Sequence, residues 1–219
     1  MMKKEMFNLS KIVKYLIYSD LVFYTGWGLI SPIFAIFILD SIIGGNAFVV
    51  GMAAGINLIV RSILRVPFGM YADKSQKTSY NFMFWGLLAS SLIPIGFIFS
   101  KTAMHVYFFQ GLLGATLGLS TAGWAGIFAR HMDKGKESTE WGIDAVAVGM
   151  GPGIAAAVGG IIVTFLSFNF VFILVTIIGL AGTFLLIFIK HDVLNKECQN
   201  QKKACTPLEI RRLKKLRIP

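Results

Sequence analysis

The stretch VVGMAAGINLIVRSILRVPFGMYAD, Val49 to Asp73, decides the fold. It is apolar for long enough to cross a bilayer, which needs about 20 residues at 1.5 Å rise each. Two arginines interrupt it, Arg61 and Arg65, and it ends in a Gly-x-x-x-Asp turn. It also has an echo. Set against Ala147–Ile161, its first fifteen residues match at seven positions: Val50/Val148, Gly51/Gly149, Met52/Met150, Gly55/Gly153, Ile56/Ile154, Val60/Val158 and Ile63/Ile161.

Five further apolar runs share this character, giving six at roughly 15–39, 47–70, 81–100, 104–128, 142–166 and 169–189. Together they fill most of the 219 residues, with 55% hydrophobic content and a mean hydropathy of +0.69. No room remains for a soluble catalytic domain. Backbone polar groups in lipid must be satisfied within the segment, so the runs are expected to be helices. The period-2 alternation of a membrane barrel is absent. The expected class is therefore all-α: a polytopic membrane protein of six transmembrane helices.

The net charge of +10 is a matter of topology rather than of nucleic-acid binding. Eighteen of the 21 Lys and Arg residues lie before the first run, after the second and fourth, and in the tail. The segments after the first, third and fifth runs hold only Lys101, and Arg61 and Arg65 complete the set. Cytoplasmic segments carry such a basic excess. The expected organisation is a cytoplasmic N-terminus over residues 1–14, a membrane domain over 15–190 and a basic cytoplasmic tail over 191–219, in a cell (plasma or inner) membrane. The first run has no small-residue cleavage signal and reads as an uncleaved span. Cys198 and Cys205 fall in the tail, where reduced thiols are expected. From Thr206-Pro207 onward the tail reads equally as a short basic surface helix or as a disordered segment.

The echo extends beyond the second and fifth runs. Gly26-Trp27-Gly28 in the first run has a partner in Gly123-Trp124-Ala125 of the fourth, and Asn81-Phe82-Met83-Phe84 in the third has one in Asn169-Phe170-Val171-Phe172 of the sixth. Two three-helix units, about 15–100 and 104–190, are therefore expected. Three is odd, so the second unit would be inverted relative to the first, an arrangement of transporters.

Polar residues recur at helical spacing. Asp20, Tyr24, Trp27 and Ser31 share one face of the first run, and Asn57, Arg61 and Arg65 one face of the second. Pro32 is expected to bend the first helix. The fourth run carries Gln110, Leu117, Thr121 and Trp124 near one face, with Gly111, Gly114 and Gly118 near another. In the fifth, Ala145, Gly149, Gly153 and Ala157 form a ladder suited to close packing, with Pro152 as a bend or hinge. The third and sixth runs suit lipid-facing positions. An arginine near the bilayer centre costs about 2.5–3.5 kcal/mol and faces a cavity or a partner. For Arg61 an anion-binding role and a structural ion pair with Asp20 are both open. Arg65 and Asp144 lie nearer a surface and read as structural. His105 and His131 are expected to be solvated. Tyr24, Trp27, Gln110 and Trp124 read either as cavity lining or as tight packing.

At Gly69-Met-Tyr-Ala-Asp73-Lys74-Ser-Gln76-Lys77 the chain resembles the loop between helices 2 and 3 of the major facilitator superfamily, matching at Gly69, Asp73 and Lys74. Gln76 replaces the second glycine of that pattern. The helix 4 pattern Arg-x-x-Gln-Gly-x-x-Gly is similar at Gln110, Gly111 and Gly114, with Tyr107 in place of the arginine. The helix 5 pattern is echoed by Gly151-Pro152 and Gly159-Gly160. The resemblance implies one half of the family's usual twelve helices. The expected function is then secondary transport of a small solute by alternating access, with Asp20, Tyr24, Trp27, Asn57, Arg61, Gln110 and Trp124 as candidates for the substrate path. It also implies pairing, as a homodimer or with a second six-helix half. A non-transporting membrane scaffold, or a partner subunit of a heterodimer, is the alternative. No enzyme motif, metal-ligand spacing or cofactor fingerprint is present. A coupling ion fits the transport reading, but the sequence does not specify one.

Overall fold

In a computed structural model, the protein is described over residues 9–195. The helices are α1 (Lys11–Ile30), α2 (Phe34–Ser41), α3 (Ala47–Ala72), α4 (Gln76–Ile98), α5 (Ala103–His131), α6 (Glu137–Phe165) and α7 (Phe168–Leu185), the last followed by a 3-10 segment, Leu186–Ile189. Six spans result, each long and apolar enough to cross a membrane, with α1 and α2 sharing the first. They extend beyond the apolar runs because polar residues cap and complete their ends. Ser10, Asn46 and Ser75 each accept a hydrogen bond from the backbone N–H three residues on, at 3.3, 3.1 and 3.0 Å, satisfying donors that a helix start leaves free. The break between α1 and α2 falls at Ser31–Ile33, around Pro32 as expected. Pro67, Pro94 and Pro152 lie inside unbroken helices. Residues 1–8 and 196–219, with Cys198, Cys205 and the segment from Thr206 onward, lie outside the described residues.

The second span packs on the fourth, the fourth on the third, the third on the sixth, the sixth on the first and the first on the fifth. Exchanging first with fourth, second with fifth and third with sixth reproduces this list. The described chain ends meet on one side. Lys11 Nζ lies 2.8 Å from Asp192 Oδ2, and Ser10 Oγ donates to the His131 carbonyl at 3.0 Å. Between the first, third and sixth spans, Phe37, Phe97 and Phe172 form a buried aromatic knot with ring centroids 5.0–5.7 Å apart. Such edge and tilted contacts add to the dispersion energy of close packing. Serines and threonines on these helices bond within the bundle, as Ser91 Oγ does with Thr183 Oγ1 at 3.2 Å.

Three expectations need correction. The third and sixth spans are not the outer ones. Of the most apolar window in each span, 44% is buried in both, against 11% in the second and 17% in the fifth. Lipid tails are as apolar as leucine, so an aliphatic helix suits the core as well as the bilayer. Next, the ladder Ala145, Gly149, Gly153 and Ala157 faces outward, and Gly149 and Gly153 have nothing within 4 Å of a Cβ position. The close approach on the fifth span is made instead by the opposite face. A Cβ on Gly28 would lie 2.5 Å from the Pro152 Cα, so the first span crosses the fifth there with backbone nearly on backbone. Finally, His131 is buried, its Nδ1 2.8 Å from the Ile127 carbonyl, because the start of the first span covers the end of α5.

Candidate functional site

The polar face of the second span meets the fourth through glycine. A Cβ on Gly114 would lie 2.5 Å from the Asn57 carbonyl and 3.2 Å from the Arg61 nitrogen. Asn57 Nδ2 donates to the Gln110 carbonyl at 3.2 Å. This contact fixes the rotation of the second span, and so aims Arg61 and Arg65 toward the first and fifth.

Two adjoining cavities open along this seam, sharing Tyr24 and Leu117. The one nearer the chain ends is charged, about 170 Å³, with Asp20, Arg61, Arg65 and Asp144 on its walls. These residues lie seven to eleven helical positions from that end, a depth of about 10–17 Å. The other cavity, about 350 Å³, is mainly apolar, with Tyr24, Trp27, Ser31, Asn57 and Gln110 as its polar features. All seven residues singled out for the path thus sit on one continuous wall: Asp20, Arg61 and Trp124 in the charged cavity, Trp27, Asn57 and Gln110 in the apolar one, and Tyr24 in both.

The ion pair weighed between Asp20 and Arg61 is not formed. Lys11–Asp192 and Arg130–Asp73 form salt bridges, and neither involves Asp20 or Arg61. Arg61 instead shares the charged cavity with Tyr24. Asp20 and Asp144 line the same cavity from the first and fifth spans. Opposite charges therefore line one small cavity from different walls without closing on each other. The indole N–H groups of Trp27 and Trp124, the two tryptophans of the sequence echo, are buried and have no acceptor. A buried donor without a partner costs about 1–3 kcal/mol. Trp124 is held by stacking on Phe128 at 4.5 Å and by the edge of Trp141 at 5.5 Å. The arrangement offers cations and N–H donors to a solute that carries acceptor atoms, beside an apolar chamber for the rest of it.

Arg65 and Asp144, read from the sequence as structural, belong to the charged cavity. Helical spacing held the signal: Arg65 lies one turn after Arg61, and Asp144 one turn after Glu140, which is fully buried. Depth along a helix does not reveal a charge that faces inward. Gly149 and Gly153 contribute no packing here, whereas Pro152 does, against Gly28.

The loop motif lies at the chain-end side. Asp73 caps α3 and pairs with Arg130 of α5 at 3.3 Å, while Arg130 also donates to Ser79 Oγ at 3.0 Å. Lys74 sits over the Tyr71 ring, 4.1 Å from its centroid. Gly69 is inside α3 with open space beside it. The aspartate thus ties the second span to the fourth and third within this bundle.

Comparison with curated proteins finds no match. The sequence matches the family model described as Major Facilitator Superfamily over residues 17–218. An all-helical bundle of six membrane-capable spans corresponds to one half of that family's fold. Extending over nearly the whole chain, the match makes this multi-pass membrane protein a member of the major facilitator superfamily of transporters.

Proposed function

We propose that the chain is one half of a secondary transporter that moves a small, acceptor-bearing solute by alternating access, and that its other half is a second copy of the same chain. The carrying observation is the convergence of Asp20, Tyr24, Arg61, Arg65, Trp124 and Asp144 on one cavity between four spans. Charged side chains held within a membrane bundle are costly and mark solute or ion paths.

The pairing rests on the outer faces of the second and fifth spans. None of the seven matched pairs of the echo is buried in the core. Met52, Ile63, Met150, Ile154 and Ile161 are exposed, with Gly51, Gly55, Gly149 and Gly153 open beside them, whereas Val148 lines the charged cavity and Ile56 and Val60 approach the fourth span. A second copy placed there would meet the same pattern and would close the seam over the two cavities. The inverted-repeat reading is supported by the neighbour list, which is unchanged when the two sets of three spans are exchanged. Rocking of one half against the other then follows from that symmetry. Cell-membrane placement with both ends cytoplasmic is supported by the basic distribution. The activity proposed is transport, not enzymatic conversion.

The test is uptake of a panel of small organic anions into liposomes carrying the purified protein. Arg61→Ala is expected to abolish flux of any transported member while leaving particle mass unchanged. Wild-type flux in that variant would remove Arg61 from the path.

A further inference from the structure

The charged cavity carries polar groups of both kinds that the bundle leaves unmet. Asp20 and Asp144 on its walls are each 7% exposed, and Asp144 Oδ1 is buried with no hydrogen-bond partner. Arg61, Arg65 and Trp124 stand on the same walls, and the Trp124 indole N–H is buried with no acceptor. No salt bridge among the described residues joins either arginine to either aspartate. Buried charges are costly unless paired, so the matching occupant brings both donors and acceptors. A plain anion would meet the arginines and the indole but leave Asp144 without a donor. A plain cation would meet the carboxylates but leave the arginines without an acceptor. Size narrows the class further. At about 30 Å³ for each water-sized group, the charged cavity of about 170 Å³ takes about five or six groups. That is the size of an α-amino acid's ammonium, Cα and carboxylate. The adjoining cavity of about 350 Å³ takes about a dozen, enough for a large apolar side chain. Tyr24 and Leu117 form the border that the two share.

We propose that the solute of this site is an apolar α-amino acid, bound as its zwitterion with both charged ends in the charged cavity and its side chain in the apolar one. The carboxylate accepts from Arg61, Arg65 and the Trp124 indole, and guanidinium–carboxylate bonds are among the strong ones that proteins form. The ammonium is a donor only and serves Asp20 and Asp144 from one position. The side chain lies among Phe23, Trp27, Ile30 and Phe34 of the first span, with Leu58 and Leu113 opposite. Sites built to pair a substrate's polar groups reject analogues that lack them, because the buried partners are left unmet. Recognition therefore needs the ammonium, the carboxylate and the apolar side chain together. That this amino acid is carried, rather than only bound, rests on the transport reading above.

Calorimetric titration of the purified protein in nanodiscs reads binding and needs no flux. The probes are L-leucine, L-phenylalanine and L-tryptophan, with glycine as the amino acid that lacks a side chain. Each is set against its analogues without the ammonium or without the carboxylate, which for phenylalanine are 3-phenylpropionate and phenethylamine. At least one of the apolar amino acids should bind, with glycine and both of its analogues at least tenfold weaker. The double variant Asp20→Asn, Asp144→Asn should lose the preference for that amino acid over its ammonium-free analogue while still binding the analogue. Failure of all the apolar amino acids to bind, equal binding of either analogue or of glycine, or a preference that survives in the double variant would each overturn the proposal. The wild-type comparison stands even where the variant fails to fold. Selective binding without uptake into liposomes would count against the transport reading alone. Uptake of organic anions without amino-acid binding would count against this inference alone.

Discussion

The two faces of the fifth span carry nearly the same residues and do opposite things. One face holds Gly151, Pro152, Ala155 and Gly159 and lies against the first span so closely that a Cβ on Gly28 would meet the Pro152 backbone. The other holds Ala145, Gly149, Gly153 and Ala157, all exposed, and Gly149 and Gly153 have nothing within 4 Å of a Cβ position. The second span shares that split: Gly51 and Gly55 are open, whereas Asn57 and Arg61 are gripped by the fourth span through Gly114. Small residues permit close approach but do not say to what. The four matched glycines of the echo, Gly51, Gly55, Gly149 and Gly153, lie on the open faces, whereas Asn57 and Arg61, set against Ala155 and Gly159, face inward.

The largest expected effect breaks the inner face. Gly28→Val should prevent accumulation of folded protein, because the added atoms meet backbone that cannot swing away; overpacking of this kind costs about 1–3 kcal/mol even in softer cores. Expression with size-exclusion profiling would show an aggregated or absent peak, and a normal profile would mean that the first and fifth spans are further apart than described. The matching change on the outer face sharpens the contrast. Gly149→Val with Gly153→Val should leave the six-span bundle folded, with an unchanged thermal midpoint in detergent, while weakening dimerisation at least tenfold. Unfolding of that double variant would place those glycines in an intramolecular contact.

A smaller effect concerns the cavity. Trp124→Phe keeps the stack on Phe128 but removes a buried N–H with no acceptor, so the empty protein should gain about 1 kcal/mol of stability while solute affinity falls. A thermal midpoint that drops would show that the indole N–H is already satisfied. The smallest lies at the rim. Asp73→Ala removes an ion pair whose carboxylate is largely exposed, and exposed pairs contribute under about 1 kcal/mol, so stability should barely move. Its effect, if the loop braces the bundle during rocking, would show in flux rather than in melting.

Much of this was legible before any coordinates. Six spans followed from run lengths, and the polar wall followed from helical spacing, since Asp20–Tyr24 and Asn57–Arg61 are each one turn apart and must share a face. What escaped was which face of a helix is covered. The fifth span is small-residue on both sides, so its sequence carries no contrast to orient it. The third and sixth spans are apolar all round, which fits lipid and core alike. His131 lies at a helix end, and only the arrival of Ser10 over its carbonyl buries it. Arg65 and Asp144 were placed by depth, whereas rotation about the helix axis decides their role.

The most direct measurement is the mass of the intact particle in nanodiscs, by native mass spectrometry or mass photometry. Pairing of two copies through the second and fifth spans predicts twice the 24.1 kDa chain, lost in the Gly149→Val, Gly153→Val double variant. A stable monomer, or a dimer untouched by that variant, would contradict the claim that these faces complete the transport path.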